Sequence, residues 1–231
     1  LKYRALLLDF YGTLVKEDDY LVERIILQVG ALSPVEDATP HVRRRWWQLM
    51  GSMCYEAHGD RFASQREIEV SSLGQVLAEF RVDLDPFELC ADIFANWEAP
   101  VAYPDVDPFL RHLGVPVCIV SNIDEADVRS AMRANNWDFP LLVTSEGCRA
   151  YKPRPELFDA ALGLLGMSAG DVLHVGDSVT ADVNGAQGCG IDVAWINRRG
   201  RPALQSQLPP THNVAGFDEL AAHLGIGTMG V

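Results

Sequence analysis

Two periodicities alternate along this 231-residue chain. Short apolar runs at 5–8, 116–120, 141–144, 171–175 and 191–196 read as buried strands. Between them, apolar positions recur at helical spacing over 106–113, 125–135, 156–165 and 217–224, and a further helix runs on from Asp177 through Ala186 and Gly188. Strands alternating with helices of this length imply right-handed crossovers and a parallel sheet. The expected fold class is therefore α/β, a Rossmann-like parallel sheet flanked by helices. Residues 198–212, with their Arg, Gly, Pro and Gln, read as loop, and 225–231 as a mobile tail.

One stretch breaks the alternation. From Lys16 to Trp97 every pattern is helical: Leu21, Val22, Ile25, Ile26 and Val29, then Val42, Trp46, Met50 and Met53, then 68–80, then 87–97, with Ser-Pro and Asp-Pro breaks between them. No strand is predicted there. The pattern predicts an all-helical insertion after the first strand. Its two crossings to the rest of the chain fall near Val15-Lys16 and at 99–105, where prolines punctuate the sequence.

Composition narrows the partners. Hydrophobic residues make up 48% of the chain, which is ordinary for a globular protein. The formal net charge of −13 argues against nucleic acid or an anionic membrane surface. No apolar run reaches the ~20 residues of a membrane span. The five cysteines, Cys54, Cys90, Cys118, Cys148 and Cys189, are scattered and lack CxxC spacing, so they read as reduced thiols rather than zinc ligands. With a first strand entered at once and no signal peptide visible, the expected setting is cytoplasmic.

The candidate chemistry lies at strand ends. The first strand delivers Asp9, followed by Tyr11, the turn residue Gly12, and Thr13. In open α/β sheets ligands bind just beyond the carboxyl ends of strands, so Asp9 is placed as nucleophile, metal ligand or both. Three stations follow: Ser121-Asn122 after the second strand, Lys152 in Tyr-Lys-Pro-Arg-Pro-Glu, and Gly176-Asp177-Ser178 with Asp182 five residues past Asp177. Asp9 and Asp177 at one end of the sheet would repel and raise one pKa unless a cation lies between them. Mg²⁺, which takes oxygen ligands, fits that need.

In this order the four stations resemble the haloacid dehalogenase (HAD) superfamily of hydrolases, and the resemblance covers nearly the whole chain. It implies a core domain at 1–15 and 100–231 and a helical cap domain at 16–99 that closes over the site. It implies Asp9 as nucleophile, Ser121 and Asn122 at the transferred group, and Lys152 neutralising the developing charge. Mg²⁺ would be held by Asp9, Asp177 and the Tyr11 backbone carbonyl. Asp182 is a further ligand or an orienting group, and Thr13 adds a hydroxyl to the same anion. Within the cap, Arg43, Arg44 and Arg45 with Trp46 and Trp47 are the candidates for gripping and walling a small, anionic substrate. The three arginines cannot be ranked from sequence.

One position departs from the phosphatase pattern. Most HAD phosphatases carry a second Asp, the general acid and base, where this chain has Tyr11. Tyr here resembles the 2-haloacid dehalogenase branch, but Gly176-Asp177 resembles the phosphatases. A phenol of pKa about 10 is a poor base at neutral pH, so Tyr11 reads better as a pocket wall. A bare Asp177 would oppose an anionic haloacid outright, whereas a lost general acid only slows a reaction. The expectation is a Mg²⁺-dependent phosphatase working through an aspartyl-phosphate. A 2-haloacid dehalogenase is the alternative, and a HAD-fold binding or regulatory protein of weak turnover the third.

Overall fold

A computed structural model of the chain describes residues 2–202 and 208–227. The first strand β1 (Ala5–Leu8) leads into four helices, α1 (Asp19–Leu32), α2 (Ala38–Glu56), α3 (Gln65–Glu79) and α4 (Pro86–Glu98). The alternation then resumes with α5 (Val106–His112), β2 (Val117–Ser121), α6 (Glu125–Ala134), β3 (Leu141–Thr144), α7 (Ser145–Cys148) and α8 (Pro155–Leu165). It closes with β4 (Val172–Gly176), α9 (Gly185–Gly188), β5 (Asp192–Ile196), β6 (His212–Val214) and α10 (Phe217–Leu224). The six strands form one parallel sheet in the order β3-β2-β1-β4-β5-β6. β6 corrects the expectation of loop through 212. The expected tail at 225–231 lies outside the described residues from 228 onward.

Period-two alternation divides the strands between two cores. Leu6 and Leu8 face one way with Ile119, Leu173 and Val175, under Val106, Phe109, Val128 and Phe217. Leu7 faces the other way with Cys118, Val120 and Val193, under Leu157, Phe158 and Ala186. The first core runs on without a break through Phe10 and Leu14 into Ile25, Val42, Trp46, Leu73 and Ile93 of the helical insert.

The insert is held in place at its crossings and at α3. Lys16 N–H donates to the Val101 carbonyl at 2.9 Å and Tyr103 N–H to the Leu14 carbonyl at 3.0 Å, so the outgoing and returning chains pair side by side. Helix α3 opens on a reciprocal cap: Ser64 Oγ accepts from Glu67 N–H at 3.2 Å, and Glu67 accepts from Ser64 N–H at 2.8 Å. Two more free amides of that turn, Gln65 and Arg66, donate to the Asp124 carboxylate, which sits at the start of α6. The sheet side of the molecule thereby fixes which residues of α3 look down on the strand ends.

The strand order places the site. β1 lies between β2 and β4, and the chain winds outward from it in both directions. The carboxyl ends of these three strands meet at this topological switch point, where open α/β sheets bind ligands. Asp9, Ser121 and Asp177 stand at those three ends.

Candidate active site

A cavity of about 300 Å³ opens over the switch point, walled by the strand ends below and the helical insert above. Asp9 lies at its floor, 6% exposed. Both its oxygens are engaged: Thr13 Oγ1 donates to Oδ2 at 2.8 Å and Lys152 Nζ to Oδ1 at 2.8 Å. Lys152 is buried, and its ammonium also donates to the Val120 carbonyl at 2.8 Å and to Asp182 Oδ1 at 2.6 Å. Its three protons are all placed. Asn122 anchors this lysine's backbone, accepting from Lys152 N–H at 2.7 Å and donating to its carbonyl at 3.1 Å.

Asp182 occupies the far side of Lys152. It accepts from Lys152, from His174 Nε2 at 2.9 Å and from the Ser178 amide at 2.9 Å. It sits in a π-helical turn, Val179–Asn184, entered from Ser178, whose hydroxyl accepts from Ala181 N–H. Only glycine fits at 176, because a Cβ there would stand 2.3 Å from Asp182 Cγ. Asp182 lines the cavity floor, and its contacts commit it to orienting Lys152. Asp177 stands free of such support. Among the described residues its one cation, Arg201 Nη2 at 3.3 Å, is itself partly exposed.

The charges do not balance. One carboxylate oxygen from each of Asp9, Asp177 and Asp182 lies within 4.8 Å of the others, with one buried ammonium among them. Burial pushes Lys152 down, but Asp182 and Asp9 outweigh it, so it stays charged. Against burial, Lys152 and then His174 hold Asp182 below the usual carboxylate range. Burial pushes Asp9 up despite Lys152, and Asp182 adds to the rise. Asp177 carries most of the misfit: burial first, then the Asp9 and Asp182 charges, push it up to about 8. A hard divalent cation among these oxygens removes the misfit, so the donor set fits magnesium. Gly12 belongs to the same arrangement. Its φ of +84° and a virtual Cβ 2.7 Å from Asp177 Oδ1 bring the Tyr11-Gly12 turn against that carboxylate.

The Asp177 shift has a measurable sign. A carboxyl whose folded pKa lies at about 8, against about 3.9 unfolded, costs stability progressively as pH rises between those values. In chelator, Asp177→Asn should melt only slightly above wild type at pH 5, and its advantage should grow to many degrees by pH 8.5. Magnesium should raise the wild-type midpoint at pH 8.5 and the variant's little. Parallel melting curves across this pH range would contradict the assignment.

The remaining candidate residues separate clearly. Ser121 and Asn122 line the cavity. Thr13 does not; it is fully buried and serves Asp9. Tyr11 lines the cavity with its ring, and its hydroxyl donates to the Trp97 carbonyl at 2.6 Å. Burial pushes that hydroxyl well above its ordinary pKa, so it neither gives nor takes a proton near neutrality. Of the five cap candidates only Trp47 reaches the cavity. Arg43 is held by Glu23, Arg44 contacts His41 and Arg45 pairs with Glu79. Successive residues on a helix point about 100° apart, so adjacent arginines cannot share one face. Trp46 is buried, its Nε1–H donating to Ser72 Oγ at 3.0 Å. The sequence reading missed His174, Asp18 and Glu69. A histidine inside the strand Val-Leu-His-Val-Gly and a glutamate inside an amphipathic helix carry no signal of their own.

Comparison with known proteins agrees with this geometry. The chain is 31% identical over 222 residues to (S)-2-haloacid dehalogenase 4A of Burkholderia cepacia, covering 94% of this chain and 93% of that protein. It is 26% identical over 168 residues to the N-acylneuraminate-9-phosphatase of Mus musculus, covering 68% of each. It is 33% identical over 135 residues to haloacid dehalogenase-like hydrolase domain-containing protein 3 of Danio rerio, of which it spans about half (54%). The fold matches a crystal structure of an L-2-haloacid dehalogenase with a TM-score of 0.79 at 22% identity, over 97% of this chain and all of that one. Among the described residues no helix is long and apolar enough to cross a membrane. The haloacid dehalogenase-like hydrolase family model matches residues 3–190, which takes in all four stations around the cavity, and the chain belongs to that family of hydrolases.

Proposed function

We propose that the protein is a magnesium-dependent phosphatase acting on a small phosphorylated metabolite through a phosphoryl group carried on Asp9. The observation that supports this most is Asp177, a carboxylate set beside Asp9 and Asp182 and met among the described residues only by the partly exposed Arg201 at 3.3 Å. Asp9, Asp177 and the Tyr11 carbonyl would hold Mg²⁺. Magnesium held there would supply positive charge against that of the phosphoryl group in transfer. Residues 16–99 would act as the cap that shuts water out of the cavity. The five cysteines, all free, suit a reducing cytoplasmic setting.

Each residue then has a task. Asp9 attacks phosphorus, the ester P–O bond breaks, and the alcohol oxygen leaves with the electron pair. Lys152 holds Asp9 in line and stabilises the charge on the transferred group. Ser121, at the end of β2, offers its hydroxyl to a phosphoryl oxygen, and Asn122 keeps the Lys152 loop in register. Water then attacks the phosphoryl group, breaks its bond to Asp9 and releases phosphate. Position 11 offers no acid, so protonation of the leaving oxygen falls to water or to the substrate, or the leaving group departs unaided.

Tyr11→Asp tests that last step. Protonation matters most for a basic alkoxide and least for a phenolate, so the wild type should favour acidic leaving groups. The variant should hydrolyse alkyl phosphates about 10²-fold faster and flatten the dependence of log rate on leaving-group pKa. Equal slopes, with magnesium binding intact, would show that position 11 is not where an acid is wanted.

The competing reading is a 2-haloacid dehalogenase, in which Asp9 displaces halide from carbon. Tyr11 as a wall favours it. Against it, no arginine lines the cavity among the described residues, and seven carboxylates would repel the haloacid anion. The deciding assay supplies an aryl phosphate and 2-chloropropionate, each with magnesium and with chelator. Phosphate release that falls by about 10²-fold or more in chelator supports the proposal. Chloride release in chelator would overturn it.

A further inference from the structure

The upper wall of the cavity is acidic and aromatic together, and its charges are unmatched. Glu69 lines the cavity from α3, 2% exposed, and its Oε1 has no hydrogen-bond partner. Asp18, at the start of α1, lines it too; Trp97 Nε1–H donates to it at 2.7 Å, and it has no cationic partner among the described residues. Glu17 and Asp19 differ, since both pair with Arg199. Among the described residues Lys152 is the one lysine or arginine in the lining, and its protons go to Asp9, Asp182 and a carbonyl. The rest of this wall is Trp47, Trp97, Tyr11, Met50, Val22 and Gln65.

We propose that this wall is a binding site for an organic ammonium group, so that the substrate is a phosphate ester whose alcohol portion carries a positive charge. The reaction rests on the phosphatase reading; the ammonium site itself does not. A buried carboxylate with a free oxygen needs a cation or a proton. Burial, then the Asp18 charge, push Glu69 up to about 8, so near neutrality it holds a proton that a bound ammonium group would displace. Aromatic faces and a thioether suit an alkylammonium, which tolerates apolar contact and is drawn to ring faces. A hydrated metal ion would want oxygen on every side, and indole and thioether walls deny it that. The two halves of the cavity then match the two ends of one small zwitterion: phosphate at Asp9, Lys152 and Ser121, ammonium at Glu69 and Asp18.

Three esters of similar length test this: 2-aminoethyl phosphate, ethyl phosphate and phosphoglycolate, each assayed with magnesium. The expected order of kcat/KM is cationic, neutral, anionic, with about 10- to 100-fold between the first two. Glu69→Gln should bring the cationic-to-neutral ratio toward one. Its melting point should hold near neutrality and rise above wild type beyond pH 8, where the wild-type carboxyl loses its proton without a partner. Equal rates for the three esters, a preference for the neutral or anionic one, or a ratio that survives Glu69→Gln would overturn the proposal. A second arm needs no turnover: the wild type is melted with ethanolammonium chloride and with potassium chloride at equal ionic strength. A rise specific to ethanolammonium and lost in Glu69→Gln supports the site. No rise, or an equal rise with potassium, overturns it. If none of the esters is hydrolysed, the phosphatase reading falls and the melting arm alone decides the ammonium site.

Discussion

Asp9→Asn should abolish turnover, by at least about 10³-fold, while leaving the melting point unchanged or higher. The two halves of this result come from the same geometry. The amide keeps the size of the carboxylate, and its oxygen can still accept from Lys152 Nζ where Asp9 Oδ1 does at 2.8 Å. Its NH₂ can donate to Thr13 Oγ1, which only has to turn its hydroxyl. No packing is lost. What is lost is the attacking oxygen and one of three crowded negative charges. Because burial pushes Asp9 up and Asp182 adds to that rise, its removal relieves the cluster. An inactive protein that is also destabilised would mean that Asp9 is a structural anchor. A variant retaining a tenth of the activity would mean that another group attacks.

Lys152→Met should destabilise the fold by about 3 to 5 kcal/mol, the usual cost of removing one partner from a buried ion pair. For a chain of this length that corresponds to a fall of roughly 10 °C in melting midpoint. Methionine fills the aliphatic volume, so the loss is electrostatic rather than a cavity. Asp9 and Asp182 would then face each other through a buried gap, and the Val120 carbonyl would lose its donor. Saturating magnesium should return part of the loss, and adding Asp182→Asn to the same chain should return more. Lys152→Met melting within a degree or two of wild type would show that the lysine is not the charge that balances this site.

How much of this was legible depended on how far apart in sequence the determining residues lie. The strands at 5–8 and 141–144 and the helix at 217–224 coincide with the structure, since each is set by its own alternation or periodicity. Asp9, Lys152, Asp177 and Asp182 were legible because each is tied to a strand end, a stiff Tyr-Lys-Pro loop or a Gly-Asp turn. β6 was not, being three residues at the sheet edge with no apolar run of its own. The cap arginines illustrate the commonest limit. A run of three shows that positive charge is present in α2, but which face turns inward is decided by Glu23 and Glu79 on neighbouring helices. Glu69 is the converse: in sequence it is one glutamate of Arg-Glu-Ile-Glu-Val. Its burial follows from the tether of α3 to Asp124, a contact across 58 and 59 residues. Tyr11 reads as a wall from its weak basicity alone, and its hydroxyl is in addition committed to the Trp97 carbonyl.

If Asp9 carries a phosphoryl group during turnover, that group can be trapped on it. The enzyme is mixed with 2-aminoethyl phosphate or an aryl phosphate and magnesium, quenched in acid within the first turnovers, digested, and the peptide containing Asp9 weighed. The account predicts that this peptide gains the mass of one HPO₃, that hydroxylamine removes it, and that chelator prevents it. An Asp9 peptide unmodified during phosphate turnover, or one esterified by the carbon chain of 2-chloropropionate in the absence of magnesium, would contradict it.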